Sequence, residues 1–166
     1  STEVSYVVRT AANEQEVGTT ALPGKIVLTD ANGKTIKEIT PDDNGVYEIS
    51  TGIEESVNVS VSGADDDNIY INNQRVASGT EAKIALNQSE IKVVRIIVQN
   101  GEKQPVYAYL KLVSDDVKAA EQVEELIDAI GDVTLDSYDS ITAARAAYDK
   151  LSDNAKTLVG NKSEAK

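Results

Sequence analysis

The hydrophobic period of this chain changes once, near Ser114, and that change most constrains what it can fold into. Before it, apolar residues alternate with polar ones in short runs separated by turn residues, which is the pattern of half-buried strands. After it, they recur at three- and four-residue spacing, which is the pattern of amphipathic helices. A chain of 166 residues written in these two halves predicts an α+β protein of two modules, an antiparallel β-sandwich followed by a small helical bundle.

The predicted strands are Val4–Val8, Lys25–Thr29, Thr35–Ile39, Val46–Ile49, Ser56–Val61, Asn68–Ile71, Glu81–Leu86, Ile91–Val98 and Val106–Val113. Asn-Gly pairs at 32–33, 44–45 and 100–101 suit turns that need positive φ. Turns at this spacing, with no long helical pattern between them, imply an antiparallel β-sandwich. Ile91–Val98 is apolar at six of eight positions and reads as a central strand covered on both faces. Tyr107 and Tyr109 share one face of the last strand, and we read that face as core. Thr10–Pro23 reads as a connector.

Ser114, with Asp115 and Asp116 behind it, has the chemistry of a helix start. The serine oxygen can accept from the first free amides, and the carboxylates favour the positive end of the helix dipole. Ala120, Val123, Ile127 and Ile130 fall on one stripe, widened by Leu126, and Gly131 ends the helix. A second helix from about Asp136 or Ser137 presents Ile141, Ala144, Tyr148 and Leu151. A third, capped by Ser152, presents Leu158 and Val159, and Lys162–Lys166 reads as the first turn of another. Two and a half helices cannot close a core, so Ile127, Ile130 and Tyr148 are expected to lack part of their cover.

Composition excludes whole classes of chemistry. The chain has no Cys, His, Trp, Phe or Met, so it forms no disulfide, no histidine-based triad and no ordinary zinc site. The core must be built from Val, Ile, Leu, Ala and Tyr. Net charge is −12. Residues 1–113 carry 10 basic and 16 acidic side chains and residues 114–166 carry 6 and 12, so each part contributes −6. A surface this acidic repels nucleic acid and anionic membranes. No apolar run approaches the ~20 residues that span a bilayer. No signal peptide or sorting signal is recognisable, and the chain opens Ser-Thr-Glu without a Met. It reads as an excerpt of a longer polypeptide, expected to be monomeric, with neighbouring modules of the same chain as its partners.

The helical segment Val123–Ser137, with Ile141–Tyr148 and Lys150–Val159, resembles the FIVAR-like helical module that recurs in large secreted and surface proteins of Gram-positive bacteria, often beside carbohydrate-active enzymes. Val57–Val61, Ile69–Gly79, Ile84–Leu86, Val94–Gly101 and Tyr107–Leu112 follow the order seen in cadherin-like β-sandwich domains of bacterial extracellular proteins, with Asn72-Asn73 where that family usually has Asn-Gly. Gly24–Lys34 followed by Asp43–Tyr47 resembles a second group, the collagen-adhesin B-type and carboxypeptidase-regulatory sandwiches. These resemblances imply modules at 24–113 and 114–166, the second incomplete at its C-terminus, preceded by a strand or linker at 1–23. They imply a secreted or cell-surface location and a non-catalytic accessory or spacer role beside a carbohydrate-active enzyme or adhesin.

Two clusters are candidate sites. Asp65, Asp66, Asp67 and Asn68 form the densest acidic run; oxygen ligands on a loop suit calcium, although the spacing is not that of an EF-hand, and the plainer reading is a solvated hairpin loop with no cofactor. Asp42-Asp43-Asn44-Gly45 is a weaker case. Tyr70, Asn72, Asn73 and Arg75 gather at one hairpin, where an aromatic ring with amide and guanidinium neighbours suits a cell-wall or host glycan. That is the alternative function, a carbohydrate-binding or adhesive module. Twenty-eight acidic residues must place some pair at glycosidase spacing by chance, and no strand-end motif supports a catalytic pair.

Overall fold

The computed structural model describes residues 18–165, so the predicted strand Val4–Val8 lies outside the described residues. The described residues form two β-sheets followed by three helices, and the chain divides into two compact units. Among the described residues, the first comprises 18–47, Ser56–Ile84 and Val93–Lys111, and the second Glu48–Glu55, Ala85–Lys92 and 112–165.

The four-stranded sheet runs β2-β1-β4-β7 and the five-stranded sheet β3-β9-β8-β5-β6. Their strands are β1 (Lys25–Thr29), β2 (Thr35–Ile39), β3 (Val46–Gly52), β4 (Ser56–Ser62), β5 (Asp67–Ile71), β6 (Gln74–Val76), β7 (Ala82–Ala85), β8 (Lys92–Asn100) and β9 (Val106–Ser114).

Register in the first sheet follows the apolar alternation. Antiparallel pairing sets Ile26 against Ile39 and Val61, and Leu28 against Val59. All five, with Val57, are buried on one face. The opposite face carries the Lys25–Glu38 ion pair at 2.7 Å, with both side chains about half exposed. Burying one such aliphatic side chain is worth about 1.5–3 kcal/mol, whereas an exposed ion pair contributes ~0–1 kcal/mol. Packing therefore fixes the register, since a one-residue slip would turn the whole apolar set to water.

In the second sheet, β5 pairs antiparallel with β8, setting Ile69 against Val98 and Ile71 against Ile96. These four, with Val94, Ala108 and Leu110, are buried. Strand β8 is the middle of five, as expected, but its second face is only partly covered: Val93 is 54 % exposed and Ile97 half-buried. The tyrosines also correct the sequence reading. Tyr107 and Tyr109 face outward, 47 % and 37 % exposed, while Ala108 and Leu110 point inward. Part of the predicted connector is ordered against this sheet's hairpin. Thr19 bridges Gln104, Thr20 N–H donates to Gln104 O at 2.8 Å, and the buried Thr20 hydroxyl accepts from Asn100 N–H at 3.0 Å.

Within the second unit, α1 (Asp115–Ile130), a 3-10 turn (Leu135–Ser137), α2 (Tyr138–Asp149) and α3 (Asp153–Ala165) follow β9. Helix α3 runs through to Ala165, so Lys162 opens no separate helix. Ala120 and Val123 of α1 pack with Ala155 and Val159 of α3, flanked by Ala147, Tyr148, Leu151 and Leu158. Two alanines at the centre let the helix backbones approach closely. The expected gap in cover is present: Ile127 is 41 % exposed, and with Ile130, Ile141, Ala144 and Tyr148 it lines an open groove of about 440 Å³ rimmed by Arg145 and Asp149.

Candidate functional site

The hairpin at 70–75 is formed by two residues that tolerate left-handed backbone. Asn72 has φ 49° and Asn73 φ 69°, the signature of a two-residue turn whose twist matches its strands. Strand β6, absent from the predicted elements, follows directly and pairs Tyr70 with Arg75. The turn is tied to β8: Asn72 N–H donates to Arg95 O, and Asn72 Oδ1 accepts from Arg95 N–H, both at 2.9 Å. The Arg95 guanidinium donates to Asn73 Oδ1. Of the four predicted glycan contacts, both asparagine oxygens therefore hold the hairpin. Arg75 Nη2 is likewise engaged, donating to Asn68 Oδ1 at 2.7 Å. Tyr70 is half-buried beside Ile97, its partner in the β5–β8 register.

The acidic run divides by role. Asp65 and Asp66 sit exposed in the turn between β4 and β5, closed by Asp67 N–H donating to Ala64 O at 3.0 Å. Asp67 opens β5 and uses both carboxylate oxygens within the fold. Oδ2 accepts from Ala64 N–H at 2.8 Å, and Oδ1 accepts from the Asn100 side-chain amide at 2.9 Å. Asn68 Oδ1 holds Arg75. Among the described residues, no three acidic side chains are grouped to hold a metal ion.

A further surface feature joins residues the sequence reading kept apart. The Asp42–Gly45 turn folds against β9, where Tyr109 N–H donates to Gly45 O at 2.7 Å. Asp42 Oδ1 organises that turn, accepting from Asn44 N–H at 3.0 Å and from the Tyr47 hydroxyl at 3.0 Å; Asp42 N–H donates back to that hydroxyl at 2.8 Å. Burial raises the Tyr47 pKa above its ordinary 10.0. The Asp42 carboxylate adds to the rise as acceptor and as negative charge, against the opposing Asp42 N–H. The turn and the exposed Tyr107 and Tyr109 together line an open groove of about 340 Å³. Its signal lay in strand parity. Tyr107 and Tyr109 share theirs with Lys111, whereas Ala108, Leu110 and Leu112 form the purely aliphatic set.

In the second unit, polar side chains assemble a joint. Ser114 ends β9 and caps α1, accepting from Val117 N–H at 3.1 Å. Asp116 accepts from Ser152 Oγ at 2.8 Å and Asn154 Nδ2 at 2.9 Å, while Ser89 Oγ donates to Asn154 Oδ1 at 2.9 Å. Ser152 in turn caps α3 by accepting from Ala155 N–H at 3.1 Å. Among the described residues no helix is long and apolar enough to cross a membrane.

No model of a known protein family matches the chain, and no curated protein matches it.

Proposed function

We propose that the chain is a non-catalytic accessory or spacer region of a secreted or cell-surface multimodular bacterial protein, holding a neighbouring catalytic or binding module. In this reading the two sheets are the halves of an immunoglobulin- or cadherin-like sandwich, and the helices are a FIVAR-like module. One observation carries it: β9 passes into α1 at Ser114 without a linker residue, and hydrogen bonds from the 85–92 segment and α3 brace that junction. A spacer needs stiffness where its elements meet, and a braced strand-to-helix transition supplies it. The cysteine-free, acidic composition suits an exported bacterial protein, and the resemblances of both segments point to the same location.

Hydrogen exchange tests this reading. The Val117 and Ala120 amides should be protected to the same order as the Leu112 amide. Exchange of the α1 amides in seconds beside a protected Leu112 would make the junction a hinge and sink the spacer.

The second reading, adhesion through the 70–75 hairpin, draws support from Tyr70, which stands half-exposed directly across from Arg75. Specific binding on a glycan array, abolished by Tyr70→Ala, would favour it over the spacer.

A further inference from the structure

The groove between the Asp42–Val46 turn and β9 has a shape and chemistry that neither the spacer role nor the 70–75 hairpin uses. Tyr107 and Tyr109 stand two residues apart on the outward face of β9, so their rings emerge about 7 Å apart along the strand. Both are substantially exposed, 47 % and 37 %. A tyrosine ring offers an apolar face together with a polar rim, a combination suited to a ligand that is itself amphipathic. The opposite wall carries Asp43 and Asn44 at its exposed tip, beside the exposed side chain of Val46.

That wall is built before any ligand arrives. Gly45 lies against β9 so closely that a Cβ on it would sit 3.1 Å from the Tyr107 carbonyl oxygen, and its φ of 71° disfavours any other residue. Gly45 O accepts from Tyr109 N–H at 2.7 Å, and Asp42 Oδ1 holds Asn44 N–H and the Tyr47 hydroxyl. The groove volume of about 340 Å³ falls at the lower end of the ~300–1,000 Å³ typical of small-ligand sites.

Charge narrows the ligand class. Asp42 and Asp43 line the groove and no Lys or Arg does, so phosphates, sulfates and uronic acids are repelled. Carboxylate and amide oxygens instead accept hydrogen bonds from hydroxyls, while the rings cover C–H faces. A neutral pyranoside presents both at once, with hydroxyls around its edge and C–H groups on its face. We infer that this groove is a saccharide-binding subsite for a short run of neutral pyranose rings, stacked on Tyr107 and Tyr109 and hydrogen-bonded by Asp43 and Asn44. It goes beyond the spacer role and lies on residues other than the Tyr70 hairpin.

The test is an NMR titration of the intact chain with cellotriose, chitotriose and mannotriose at millimolar concentration. At least one should shift the backbone amides of residues 42–46 and 106–109. Tyr107→Ala and Tyr109→Ala should each weaken that binding about ten-fold, and Tyr70→Ala should leave it unchanged. Asp43→Ala, in an exposed turn, should weaken it as well, and it keeps the question answerable if a tyrosine variant misfolds. Absence of shifts with all three sugars would overturn the proposal, as would binding that survives both Asp43→Ala and the two tyrosine changes. Loss of amide protection at the Ser114 junction would sink the spacer reading without touching this groove, so the two fail separately.

Discussion

The Ser114 hydroxyl donates to the Gln88 carbonyl at 2.6 Å while its oxygen accepts from Val117 N–H at 3.1 Å. One buried side chain thus closes a strand, caps a helix and pins a loop. Replacing it with Ala removes the cap and strips a carbonyl of its donor. Caps of this kind contribute ~0.5–2 kcal/mol, and an orphaned buried acceptor adds about 1–3 kcal/mol. Ser114→Ala should therefore lower stability by roughly 2–3 kcal/mol in urea unfolding. A loss within the ±0.5 kcal/mol common for surface changes would show that the cap is idle.

The Asn72–Asn73 turn predicts a contrast between two substitutions at one site. Asn73 has φ 69°, which glycine adopts freely and alanine does not. Asn73→Gly should be close to neutral, whereas Asn73→Ala should cost about 1–2 kcal/mol. Denaturation midpoints at matched m-values measure both. Equal losses would mean that the Arg95 contact to Asn73 Oδ1, rather than the backbone, sets the requirement.

How far the sequence was legible depended on whether one local rule settled each element. Lys25–Thr29 and Thr35–Ile39 form with the bounds expected from alternation, because the Asn32-Gly33 turn between them fixes where one ends and the other begins. Ser114 was readable for the same reason, since capping is local. Strand β6 was not, because three residues carry no period and only the left-handed pair before them marks the hairpin. The core face of β9 is the opposite of the one expected, because Ala108, Leu110 and Leu112 supply an all-aliphatic set on the other parity. Lys111 shares its face with Tyr107 and Tyr109, and that face is outside. The groove at Asp42–Val46 was legible only by half: parity places Tyr107 and Tyr109 on the outer face, but which turn packs against them depends on a contact between segments some sixty residues apart.

Calcium gives a third test, directed at the acidic run. Asp67 spends both oxygens on Ala64 N–H and the Asn100 amide, and Asn68 Oδ1 holds Arg75. A cation would have to displace these bonds before gaining its own. Millimolar calcium should accordingly leave the melting temperature unchanged. A ligand at 100 times its Kd would stabilise by about 2.7 kcal/mol, a shift readily seen by calorimetry. An upward shift that disappears in Asp67→Asn would establish a calcium site at residues 65–68.

The Tyr47–Asp42 pair makes stability depend on alkaline pH, with a sign that follows from the direction of its shift. Burial, reinforced by the Asp42 carboxylate, raises the Tyr47 pKa above 10.0. The folded state therefore holds the phenolic proton more tightly than the unfolded chain. By linkage, that contribution is complete below the unfolded value near 10.0 and is lost as pH climbs through the higher folded value. Ionisation would also turn the donor of the 3.0 Å bond to Asp42 Oδ1 into a second negative charge beside it. Tyr47→Phe removes the hydroxyl and should cost ~0.5–1.5 kcal/mol at neutral pH. The gap between wild type and variant should then shrink in urea titrations above pH 10. Constancy of that gap from neutral to strongly alkaline pH would mean that the hydroxyl's environment does not differ between folded and unfolded chains.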